Sequence, residues 1–115
     1  MTDSILTSIK ELIGPREDQT EFDQDLIIHI NSVLSLLTQL GVGPQNGFSI
    51  SDKTSTWADF LGNEAADLQA VKSYVYMKVR LIFDPPAASG VIDSYKQMIN
   101  EFEWRLNVAA DKSGQ

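Results

Sequence analysis

Nothing in the chain constrains its fold more than Leu68 to Pro86, LQAVKSYVYMKVRLIFDPP, which holds both the strongest helical periodicity and the sharpest stop. Leu68, Val71, Val75, Val79 and Ile82 recur at three- and four-residue steps, which at about 100° per residue stacks them in one apolar stripe. Tyr74, Met77 and Leu81 recur at the same spacing on a different side, so this helix is apolar in two directions. Two arrangements satisfy that surface: a central helix of a small bundle, or a helix whose second side is a subunit contact. Asp84-Pro85-Pro86 ends the helix, because the residue before proline is pushed out of the helical region and proline has no N–H to continue the ladder.

The rest of the chain reads as further helices. Asp3 or Ser4 is placed to cap a first helix through Ile13, with Gly14-Pro15 closing it. Arg16 to Glu21 lacks apolar residues and reads as a solvated loop. A second helix is predicted from about Glu21 to Leu40, with Thr20 at its start and Gly41 in the left-handed position after its end. Leu26, Ile27, Ile30, Val33, Leu34, Leu37 and Leu40 form its broad apolar face. The opposite face carries Asn31, Ser32, Ser35, Thr38 and Gln39, none of them charged. Small neutral polar groups tolerate desolvation better than charges do, so Asn31 and Ser35 are candidate subunit contacts.

Residues 41–56, GVGPQNGFSISDKTST, are dense in Gly, Pro, Asn and Ser, and the segment is long for a loop inside a compact domain. Phe48-Ser49-Ile50 alternates apolar and polar residues and suits a short extended piece. It has two possible docking sites, its own bundle or the same loop of a neighbouring subunit. Phe48 and Ile50 are therefore candidate contacts, in a loop expected to be mobile alone and ordered on assembly. Thr56 caps a short helix holding Trp57, Phe60 and Leu61, with Asp59 near its N-terminal dipole. Ser89 sits at the N-cap of a last helix to about Ala109, with Val91, Ile92, Tyr95, Met98, Ile99, Phe102 and Leu106 on its core side. Trp104 and Val108 point nearly the opposite way. Trp and Arg are enriched in interface hot spots, which makes Trp104, Arg105 and Val108 the best partner-contact candidates. Residues 110–115 are small and polar and are expected to form a flexible tail. The fold class predicted is thus all-α: four main helices and one short one, with a long Gly/Pro-rich loop, in a single domain spanning residues 1–115.

Composition narrows the function. Nine basic against sixteen acidic residues leave a formal charge of −7, the opposite of a phosphate-gripping footprint. With no cysteine there are no disulfides, thiolate ligands or cysteine nucleophile, a composition that fits a reducing cytoplasm. The N-terminal segment has an acid where a secretory signal carries bases, and the uncharged run Leu26 to Leu40 is shorter than the roughly 20 residues a membrane span needs. No membrane partner is expected. His29, the single histidine, lies one turn from Asp25 with Asp23 nearby, but zinc takes three or four protein ligands and no second histidine or cysteine exists. There is no Gly-x-Ser-x-Gly elbow, and GVGPQNG lacks the strand, helix and Gly-Lys-Ser/Thr of nucleotide loops. No catalytic, cofactor-binding or metal-binding residue is assigned, and no enzyme activity is expected.

YVYMKVRLIFDPP, with HINSVLSLLTQLGVGPQNGFSISD upstream and EFEWRLNVAAD downstream, resembles the head–tail connector (adaptor) proteins of long-tailed bacteriophages and prophages, over nearly the whole chain. The resemblance implies a structural virion protein made in the bacterial host cytoplasm. It implies a ring of about a dozen copies beneath the portal protein, continuing the DNA channel and docking the next neck or tail completion protein. By position, the family's C-terminal portal contact maps onto residues 101–111. The negative charge implies that DNA passes without specific binding, with the channel lining drawn from Glu17, Asp18, Glu21, Asp23, Asp52, Asp59, Glu64 and Asp67. The alternative reading is a small helical regulatory or nucleic-acid-binding module, which needs a basic helix face; Lys72, Lys78, Arg80 and Lys96 do not gather on one.

Overall fold

A computed structural model describes residues 4–14, 20–62, 68–83 and 85–113, with side chains as far as Val108. The protein is all-α, built from α1 (Ile5–Ile13), α2 (Asp23–Gln39), the short α3 (Trp57–Leu61), α4 (Leu68–Phe83) and α5 (Ser89–Ser113). The described residues include no strand, only an isolated antiparallel bridge between Ser4 and Thr56.

The central helix is α4, which packs against α1, α2 and α5. Val71, Val75 and Val79 are fully buried, and burying each is worth roughly 1.5–3 kcal/mol. Tyr74 and Met77 are buried too, on the side that meets α5. Of the two arrangements open to this helix, its second apolar side is therefore used within the protomer. Tyr74 donates to the Glu103 carboxylate at 2.7 Å, and Lys78 lies 3.7 Å from the same carboxylate. On the other flank of the contact, Arg80 donates to the hydroxyls of Tyr76 at 2.7 Å and Tyr95 at 3.0 Å. Ile82, placed on the core stripe by its spacing, is instead 56% exposed, because the stripe outlasts the core at this end of α4.

Local chemistry sets most helix ends. The Ser4 hydroxyl accepts the Thr7 N–H at 3.2 Å, and Gly14, at φ 138°, closes α1 by donating to the Lys10 carbonyl. Thr56 and Asp59 form a reciprocal capping box on α3, each side chain accepting the other's backbone N–H, at 3.1 and 3.0 Å. α2 departs from expectation: Phe22 occupies its N-cap with no side-chain cap, and Thr20 contributes only its carbonyl, to Asp23 N–H at 3.1 Å. Phe22 packs edge-on against Phe83, so tertiary contact sets that entry. α5 runs on to Ser113, past the expected stop at Ala109; Gly114 and Gln115 lie outside the described residues. Its core side is narrower than predicted: Ile99 and Leu106 are buried, whereas Val91 and Met98 are exposed.

Two buried polar links fix α1. Lys10 is only 3% exposed, and its ammonium sits 2.9 Å from Asp23 on α2. A buried ion pair of this kind secures register more than it adds stability, because desolvation offsets much of the attraction. The Trp57 indole donates to Ser8 Oγ at 3.1 Å, joining α3 to α1.

Burial first, and then the Glu103 carboxylate, push the Tyr74 phenol well above its ordinary value of 10.0. The folded chain holds that proton more tightly than the unfolded chain, so the stabilisation is complete below about pH 10 and declines as pH rises further. Denaturant midpoints should fall between about pH 9 and about pH 11, and Tyr74→Phe should flatten that fall while costing about 1 kcal/mol at neutral pH. Equal slopes for the two proteins would contradict the assignment.

Candidate assembly surface

The long loop does not stand away from the bundle. The Asn31 carboxamide on α2 donates to the Ile50 carbonyl at 3.0 Å and accepts the Ile50 N–H at 2.7 Å. It grips one residue of extended backbone as a neighbouring strand would. Ile50 is buried, and Phe48 stacks at a tilt on Phe60, ring centroids 5.3 Å apart. At Gly43, φ is +85° and an added Cβ would lie 2.5 Å from the Phe60 ring, so glycine answers both the backbone and the close approach. Asp52 turns the chain by accepting from the Thr54 N–H and hydroxyl, and the hydroxyl bond first, then the N–H, hold its carboxyl below the usual range. Of the expected subunit contacts, then, Asn31 and Ile50 are engaged within the protomer, Phe48 is half-covered by Phe60, and Tyr74 and Met77 are core. Leu81 is half-buried.

What α2 leaves outside is a stripe of Asp25, Ile28, Ser32, Ser35, Leu36 and Gln39, all exposed. Ile28 is 59% exposed. Between Leu26 and Gln39 the helix carries no acid, lysine or arginine. Ser35 also lines an open groove of about 540 Å³ between α2 and the loop, walled by Thr38, Gln45, Asn46 and Ser49. Among the expected partner contacts, Trp104 is 68% exposed, the most exposed of the large apolar side chains described. Arg105 is exposed beside it and paired with Glu101, while Val108 is half-buried.

Charge is unevenly spread. From Ser4 to Gly62 the exposed ionic residues described are Glu11, Glu21, Asp25, Asp52, Asp59 and a single base, Lys53. The bases Lys72, Lys78, Arg80, Lys96 and Arg105 lie on α4 and α5. The hydrogen bond that Arg80 donates to the Tyr76 hydroxyl chiefly keeps Arg80 protonated to still higher pH, and the Tyr76 hydroxyl likewise raises the Tyr95 phenol. Of the acids expected to line a channel, Asp23 is paired with Lys10 and Asp59 caps α3, while Glu17, Asp18, Glu64 and Asp67 lie outside the described residues. Among the described residues no three His, Cys, Asp or Glu side chains are grouped to hold a metal ion, and no helix is long and apolar enough to cross a membrane. The Asn31 clasp had no specific signal in sequence: an asparagine among serines on a neutral face is visible, but its partner, nineteen residues later, is not.

Removing the clasp should free the loop locally. Asn31→Ala is expected to cost about 1–3 kcal/mol, since the Ile50 N–H and carbonyl lose their partner. Hydrogen exchange should quicken at residues 48–51 and leave α4 unchanged; unchanged protection at Ile50 would refute the clasp.

A family model described as phage connector protein matches residues 5–113, while no curated protein and no solved structure matches the chain.

Proposed function

The chain belongs to the phage connector protein family, a family of structural proteins, and from that premise we propose that it assembles as a ring of about a dozen copies between the portal and the next neck or tail component. The observation that carries this reading is the family match, which spans the chain from the start of α1 to the end of α5. The exposed surface supports it. A packed bundle with no further use for Trp104 in its core leaves that ring open to a partner. With Arg105 alongside, it offers the aromatic and guanidinium pair that anchors interface hot spots. We assign this patch, with Val108 at its edge, to the portal. The uncharged part of the α2 stripe, from Ile28 to Gln39 and Ser35 included, is assigned to contact between copies, because its exposed apolar groups desolvate without stranding charge. The protein's home is then the neck of the virion, after synthesis in the host cytoplasm, and its role is mechanical rather than catalytic.

A ring of chains each carrying −7 surrounds its axis with a negative field, through which DNA moves without adhering. Exposed Asp52 remains available to face such a channel.

Two measurements test this reading. Mass determination of the protein with the portal of the same virus should show a closed ring on the portal, and Trp104→Ala should weaken docking by about tenfold or more without lowering the melting temperature. A chain that stays monomeric with its portal would overturn the ring. In an anisotropy titration against duplex DNA at low salt, where screening is least, no binding is expected. Micromolar, salt-sensitive affinity would instead favour a nucleic-acid-binding module.

A further inference from the structure

A second groove lies between α4 and α5, with a volume of about 420 Å³. Leu81, Ile82 and Ile99 supply its apolar lining, and Lys78 and Lys96 stand at it with Asn100 and Glu103. Lys96 is exposed and has no ion-pair partner among the described residues; Lys78 reaches Glu103 only at 3.7 Å. On an acidic chain, this apolar-lined cleft carries two lysines against one carboxylate.

Resting on the ring reading above, we propose that copies join head to tail by seating the exposed stripe of α2 from one copy in the α4–α5 groove of the next. The stripe matches the groove in chemistry. Ile28 and Leu36 stand two turns apart as an apolar ridge, and a helix ridge entering a cleft between two helices is the ordinary geometry of helix packing. At the ridge's N-terminal end are Asp25 and Glu21, exposed and without ion-pair partners among the described residues, and these meet the lysines. No lysine or arginine occurs anywhere in α2 to oppose them. The two patches cannot serve each other within one copy, because the stripe faces away from the side of α2 packed on α4. A contact between two different patches is heterologous, and heterologous contacts repeat until the rotation closes.

The occupant is thus a second copy of this chain. The test measures copies bound per portal, by mass, for the full chain and for Asp25→Lys, Lys96→Glu, the chain carrying both, and Ile28→Arg. Asp25, Lys96 and Ile28 are all exposed, so the melting temperature of every variant should match that of the parent. Each single substitution is expected to raise the concentration needed for ring formation by about tenfold or more, and the double reversal to restore it, because the charges exchange partners across the junction. If the parent forms rings and the single variants do so equally well, the junction lies elsewhere and this proposal falls while the ring stands. Failure of the double reversal to rescue would likewise overturn the pairing. A parent that forms no ring overturns the ring reading itself, and this junction with it.

Discussion

The other three long helices are placed by a helix that is buried on two sides. One side of α4 presents Val71, Val75 and Val79 to the α1–α2 pair, and the other presents Tyr74 and Met77 to α5. Removing that much apolar surface from water holds three helices to one without a disulfide. The arrangement also explains why polar contacts cluster on the α4–α5 seam. A tyrosine buried to satisfy packing still needs an acceptor for its hydroxyl, and Glu103 supplies it. On the other flank, Tyr76, Arg80 and Tyr95 share three hydrogen bonds and stack the guanidinium over both rings.

Most of both apolar sides of α4 is spent internally, while Leu81 and Ile82 near its C-terminal end line a surface groove. The loop is largely engaged as well, since Asn31 satisfies Ile50 and the core takes its side chain. What remains outward is the stripe of α2, the cleft between α4 and α5, and Trp104. These are three separate patches, on α2, between α4 and α5, and on α5.

The charge distribution fits the same logic. Net charge alone says only that the chain repels nucleic acid. Among the described residues the first half exposes Glu11, Glu21, Asp25, Asp52 and Asp59 against Lys53 alone, while α4 and α5 carry Lys72, Lys78, Arg80, Lys96 and Arg105 together with the exposed acids Asp93 and Glu101, so the charge is uneven along the chain.

Local chemistry determined much of this protein without reference to its fold. Helix existence followed from three- and four-residue apolar spacing. Ser4, Gly14 and Thr56 mark helix ends because their bonds reach only three or four residues along the chain. The family was legible too, since the ordered blocks that carry it span most of the chain. The exposure of Trp104 was legible because its angular position on α5 opposes Ile99 and Leu106. Tertiary structure decided the rest. Whether Tyr74 and Met77 faced a neighbour or a partner depended on where α5 came back. Ile82 and Met98 lie on or beside apolar stripes yet are exposed, because periodicity gives direction but not how far the neighbouring helix extends. Asn31 met Ile50, and Lys10 met Asp23, only because loop and helix returned to within hydrogen-bonding distance. A side chain's partner across many residues is set by the packing of whole elements, which no local pattern encodes.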